Sequence, residues 1–245
     1  MVVRVAPELR LLVGRRWRAE TVEVGVSGTD TVGHVVESVG VPLTEVGGLR
    51  LDGRPVPPPT RASGDVVDVA ARGRPQPAPT DPPRFLLDVH LGSLARRLRL
   101  LGLDAAWYPD GPDSDDDALV ARATDERRVL LTQDRALLRR RALPDGALVR
   151  GTGVDDQADD VLDRFAPALA PWTRCVACGG ALHPATADDV AAHLEPGTRR
   201  TYTDFSACAG CGRVYWRGAH AARLELVVAR AREVVERRRR AGVSR

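Results

Sequence analysis

Lysine is absent from this 245-residue chain, so all 36 basic side chains are arginine. The pattern fits a GC-rich coding bias, and no function follows from it alone. Long apolar runs are missing as well: no stretch approaches the roughly eighteen apolar residues of a membrane-spanning helix, which excludes an α-helical span. The N-terminal MVVRVAPELR alternates like a strand and lacks the apolar core of a signal peptide, so a soluble, cytoplasmic protein is expected. No internal repeat is visible. Cysteine is scarce, with four residues in two CxxC pairs. Without a secretory signal, reducing conditions favour metal binding over disulfides.

Charge is present but uneven. Residues 1–74 carry 10 Arg against 9 acids, residues 81–172 carry 13 Arg against 17 acids, and residues 173–245 carry 13 Arg against 7 acids. An acidic middle beside a basic end suits a metal site next to a phosphate-tracking surface, or two solvated faces of opposite sign.

A proline-rich stretch at residues 73–83, GRPQPAPTDPP, reads as an extended, semi-rigid linker. Before it, residues 2–6 and 20–26 look like strands. Thr29, Asp30 and Thr31 offer caps for a short helix with Val32, Val35, Val36 and Val39 at helical spacing. Two more strands follow at residues 49–51 and 66–69, with an Asp52-Gly53 turn after the first. Strand, strand, helix, strand, strand is the order of a β-grasp fold, expected over residues 1–72. From residue 84 the rhythm becomes alternating strands and helices. Strands are expected at 85–87, 105–108, 129–132 and 147–149. One helix carries Leu91, Leu94, Ala95, Leu98 and Leu101; others begin near Asp116, carry Leu137 and Leu138, and span 156–165. That alternation predicts a Rossmann-like parallel sheet over residues 84–170. Residues 171–220 are loop-rich. Residues 221–245 read as a basic helix ending in an arginine run at 237–240, with Glu233 and Glu236 each four residues ahead of an arginine.

Two constellations carry chemistry. Cys175, Cys178, Cys208 and Cys211 form two CxxCG knuckles separated by 29 residues, the pattern of a four-thiolate zinc site with an inserted loop. Four sulfurs leave no open position, so a structural Zn2+ is expected. His183 and His193 in the insertion are alternative ligands or ordinary surface residues. The second constellation is acidic. Asp88 follows the first strand of the expected parallel sheet, Asp134 follows the third, and Asp115, Asp116 and Asp117 open the helix after the second. Carboxyl ends of such strands form the functional crevice, and carboxylates gathered there suit Mg2+ or Mn2+. For Asp115 and Asp117, helix capping is the stronger reading.

Residues 84–217 resemble the Mut-seven C-terminal ribonuclease family, a PIN-like nuclease domain followed by a zinc ribbon. The matching stretches are FLLD at 85–88, LGSLARRLR at 91–99, LLGLD at 100–104, Asp116 seven residues before Ala123, LLTQD at 130–134, both cysteine pairs, and RVYWRGAH at 213–220. Residues 1–72 resemble the ubiquitin-like domain often fused ahead of this nuclease, through VVESVGVPLTEV at 35–46 and Gly64-Asp65. The resemblance implies Asp88, Asp116 and Asp134 as metal-binding catalytic acids and RNA as substrate. His90 departs from the apolar residue expected there, and Asp155 or Asp156 is the candidate for a fourth acid.

The reading is therefore a metal-dependent ribonuclease with a PIN-like α/β domain, an N-terminal β-grasp domain and a C-terminal zinc ribbon. The competing reading is a non-catalytic RNA- or protein-binding adaptor on the same fold. A sulfur-carrier role for the β-grasp domain is a third, opposed by Arg72-Gly73-Arg74 continuing into a linker instead of ending free. Arg96, Arg97 and Arg99 suit phosphate contacts or a solvated helix face; Trp216 and His220 are expected to pack the ribbon on the nuclease core. Thr132 either orients a metal-bound water or satisfies backbone. A protein partner is expected for the β-grasp domain.

Overall fold

Val3 and Val5, like Val67 and Val69, alternate with more exposed neighbours, and each pair turns into one core. The computed structural model describes residues 1–14, 21–109, 115–218 and 221–243. The expected strands at the N-terminus form as β1 (Val2–Val5) and a shorter β2 (Thr21–Glu23). Thr31 is the cap of α1 (Val32–Ser38): its hydroxyl accepts from the His34 amide at 3.2 Å. β3 (Val46–Leu51), the two-residue β4 (Arg54–Pro55) and β5 (Val66–Ala71) complete a sheet of order β2-β1-β5-β3-β4. Its central β1–β5 pair is parallel and the rest antiparallel, as the β-grasp order requires.

The second sheet is wholly parallel, in the order β7-β6-β8-β9, from β6 (Arg84–Leu87), β7 (Asp104–Trp107), β8 (Val129–Thr132) and β9 (Gly146–Leu148). The connecting helices are α2 (Gly92–Leu100) and α3 (Asp116–Asp125), and α4 (Val154–Phe165) follows β9. The helix expected around Leu137 and Leu138 is a single 3-10 turn, Leu137–Arg139. Arg140 returns to extended backbone and ends it, although both leucines are buried as expected.

Strands of a parallel sheet are buried on both faces, and adjacent residues here serve different cores. Phe85, Leu87, Val129 and Leu131 pack with α2 and α4. Leu86, Leu130 and Leu148 face the other way, onto Leu119, Val120 and Ala123 of α3, in a cluster that runs without a break into the valines and leucines of the β-grasp sheet. The N-terminal unit is thus the cover of the second sheet face. The linker does not hold it at a distance: Gln76 is buried, its amide donates to the Arg164 carbonyl and its side-chain oxygen accepts from Arg164 Nε at 2.7 Å. Arg164 also clasps both oxygens of Glu45 at 3.0 Å, and Glu45 Oε1 accepts from the Leu148 amide at 2.8 Å.

The last third forms an antiparallel sheet, β10 (Leu182–Ala185), β11 (Phe205–Cys208) and β12 (Val214–Trp216), with a short α5 (Pro196–Thr201) in the insertion. The long α6 (Ala221–Val243) packs Val228, Ala231, Val234 and Val235 back against α4. Its arginines have inward partners: Arg230 and Arg238 pair with Asp159 and Asp163, and Arg239 donates to the Ala166 carbonyl. Much of the basic end is therefore spent on the acidic face of α4. Among the described residues no helix is long and apolar enough to cross a membrane.

Candidate metal centres

Two CxxCG turns build the cysteine cluster. In each, the glycine after the second cysteine has positive φ, +82° at Gly179 and +70° at Gly212, a conformation that costs other residues dearly. This lets the chain curl: the Gly179 amide donates to the Cys175 carbonyl at 2.8 Å, and the Gly212 amide to the Cys208 carbonyl at 3.0 Å. The Gly180 and Gly210 amides, both at 3.4 Å, point at the sulfurs of Cys178 and Cys208. All four Sγ atoms lie within 4.8 Å of one another, the spacing of ligands around one ion. Burial disfavours the Cys175 thiolate, but the Tyr215 hydroxyl at 3.0 Å and the amides of Cys178 and Ala177 outweigh it, holding the thiol down at about 6. Desolvation and the neighbouring sulfurs push Cys178 up to about 12. One thiolate forms readily, and further ones need a cation to offset their repulsion. His183 and His193 are exposed and take no part.

Arg99 locks this cluster to the core of the parallel-sheet unit, which corrects its reading as a phosphate ligand or solvated residue. It is 3% exposed; its Nε donates to the Ala105 carbonyl at 2.8 Å and its Nη1 to the Ala177 carbonyl at 2.6 Å. Burial pulls its guanidinium below the ordinary value, opposed by Cys178 and Cys175. Arg97 is engaged by Asp155, which also removes that carboxylate as an unpaired fourth acid. Arg96 is exposed, with its guanidinium 5.5 Å from the Trp107 ring centroid. Trp216 is 42% exposed, so it does not pack the ribbon on the core as expected; Trp172 does, with Arg217 stacked over it at 5.2 Å. His220 lies outside the described residues.

The acids occupy the expected edge. Asp88 directly follows β6 and is 9% exposed. Thr132, at the end of neighbouring β8 and fully buried, donates its hydroxyl to Asp88 Oδ2 at 2.6 Å and accepts from the Asp134 amide at 2.9 Å. Asp134 Oδ1 accepts from the Ala136 amide at 2.7 Å. One hydroxyl thus joins the two strand ends. Asp115 is a cap, accepting from the Ala118 amide at 2.7 Å. Asp116, 52% exposed on its side chain, lies 3.9 Å from Arg140, which also pairs with Asp117 at 2.9 Å. His90 is exposed. Among the described residues the four cysteines are the one group of three or more metal-ligating side chains gathered as around an ion; Asp88, Asp116 and Asp134 do not form a second such group. Sequence reasoning missed Arg140, whose only signal is its place in the run Arg139-Arg140-Arg141.

Residues 83–228 match the family model described as the Mut7-C RNAse domain, and residues 1–76 match the one described as Mut7-C ubiquitin. Neither the curated proteins nor the solved structures yielded a match.

Proposed function

Because the chain belongs to the Mut7-C RNAse domain family, we propose that it is a divalent-metal-dependent ribonuclease acting at the carboxyl edge of its parallel sheet. Asp88 and Asp134 hold Mg2+ or Mn2+ from neighbouring strand ends, and Asp116 adds its carboxylate from the start of α3. Their hard oxygens suit these ions. When bound, such an ion supplies water activation and charge neutralisation at the scissile phosphate. The observation that supports this reading is the Thr132 hydroxyl, which links the Asp88 carboxylate to the Asp134 backbone amide across neighbouring strand ends. The four cysteines hold a structural Zn2+, since four thiolates leave no open position. Of the three arginines on α2, Arg96 is the one free to meet an RNA phosphate. The β-grasp sheet offers its edge strands β2 and β4 to a protein partner.

The test is cleavage of single-stranded RNA by the full chain. Wild type with Mn2+ should cleave, EDTA should stop it, and Asp88→Asn should stay folded and inactive. A second reading, a non-catalytic RNA-binding adaptor, draws on the acids forming no ion-sized group among the described residues and on Arg140 compensating Asp116 and Asp117. It wins if wild type with Mn2+ leaves RNA intact while binding it as tightly as Asp88→Asn does.

A further inference from the structure

Where the β-grasp unit meets the nuclease domain and α6, a cavity of about 530 Å³ is walled by five arginines from separate parts of the chain. Arg72 and Arg74 come from the end of the β-grasp unit, Arg150 from just beyond β9, Arg164 from α4 and Arg238 from α6. Three have carboxylate partners: Arg74 with Asp160 and Asp163, Arg238 with Asp163, and Arg164 with Glu45. The Arg72 guanidinium donates to the Thr44 carbonyl at 2.7 Å and that of Arg150 to the Glu8 carbonyl at 3.0 Å, while the Arg150 backbone amide donates to Asp160 Oδ2 at 2.9 Å. Two guanidinium N–H groups are moreover buried without any acceptor, Arg164 Nη2 and Arg150 Nε. The Arg164 side chain is only 4% exposed, so bulk solvent does not answer it.

We infer that this cavity is a binding site for a small phosphorylated ligand of mononucleotide size, held between the two units. Guanidinium groups brought to one cavity from different elements, two of them answered only by carbonyl oxygens, suit an anion with acceptors on several sides, and a phosphate monoester has three such oxygens. Burial pulls the Arg164 guanidinium below its ordinary value against the opposing pull of Glu45, and a second anion would reverse that. The volume exceeds what inorganic phosphate fills and lies within the range of small-molecule pockets. Leu9, Ala70 and Ala71 give it an apolar wall for a sugar or base. None of Asp88, Asp116 and Asp134 lines it, so occupancy is measurable without reference to RNA cleavage.

Isothermal titration of the full chain with AMP, inorganic phosphate and adenosine tests the site. AMP should bind at one site, inorganic phosphate should compete more weakly, and adenosine should not bind. Arg72→Gln with Arg150→Gln leaves no carboxylate stranded and should weaken AMP by about tenfold or more. Arg199→Gln, on the ribbon insertion, should change nothing. Hydrogen exchange on the wild type should show AMP protecting residues 70–74 and 149–151, which decides the matter even if the double variant fails to fold. Absence of AMP binding at millimolar concentration, undiminished binding by a folded double variant, or protection confined to other segments overturns the proposal. So does binding of a 5′-phosphorylated oligonucleotide without binding of AMP, which would make the cavity an RNA-end site.

Discussion

The cysteine cluster and the acidic edge were both legible as residue patterns, yet among the described residues the fold gathers only the first into one tight group of ligand atoms. Each cysteine pair sits on a turn that closes on itself through backbone bonds, so just one long-range event, one knuckle docking on the other, brings four sulfurs within 4.8 Å. The acids sit at three strand–helix junctions, and every distance between them depends on tertiary packing. Repulsion also differs in its remedy. At the edge, Thr132 and Arg140 supply hydrogen bonds and countercharge from the protein itself. At the sulfurs, Tyr215 and a few amides steady one thiolate, leaving the others to a cation.

The largest effect should come from breaking the better-assembled site. Structural zinc sites contribute on the order of 10 kcal/mol to local folding, so Cys178→Ser should release metal and unfold the ribbon. Metal analysis should find about one zinc per wild-type chain and none in the variant; a zinc-free, stably folded wild type would refute the contrast. At the acidic edge, Thr132→Val removes the bridge and leaves Asp88 and the Asp134 amide unanswered. It should cost about 1–3 kcal/mol in urea melts, with cleavage falling too if the bridge positions Asp88. Asp88→Asn, by contrast, keeps the shape and relieves charge, so its melt should match or exceed wild type.

A third charged cluster sharpens the comparison because it needs no metal. Burial works against the Asp104 carboxylate, but Arg128 at 2.6 Å, with Arg174 and Arg84, holds it below its ordinary value of 3.8. A depressed folded pKa means the unfolded chain takes up its proton first as pH falls. The contribution is complete above the ordinary value and vanishes as pH drops through the folded one. The stability gap between wild type and Asp104→Asn should therefore be constant from neutral pH to about 5 and close as pH falls below the ordinary value of 3.8. A gap that widens on acidification would contradict the assignment. The smallest effect is expected at Arg140. Arg140→Gln frees Asp116 and Asp117 of an exposed pair worth under about 1 kcal/mol. Mn2+ should then bind a few-fold more tightly, read by titration, with little change in the melt; weaker Mn2+ binding would place Asp116 outside the site.

The sequence by itself determined what local chemistry can encode. The apolar runs marked the central parallel strands, where burial on both faces leaves little room for polar side chains. The 2.0 and 3.6 periods marked the β-grasp elements, Thr29, Asp30 and Thr31 marked its helix start, and CxxCG marked the sulfur turns. Three things belonged to tertiary structure alone. One is that the β-grasp unit covers the second face of the parallel sheet, since an apolar run does not say what packs on it. Another is the fate of the arginines: helical spacing put Arg99 beside the apolar stripe, but only the docked knuckle supplied the carbonyls that bury it. The last is which charges far apart in sequence meet, as Glu45 and Arg164 do. Periodicity reports which way a side chain faces over a few residues; which partner it meets there is decided by chain closure and packing across the whole fold.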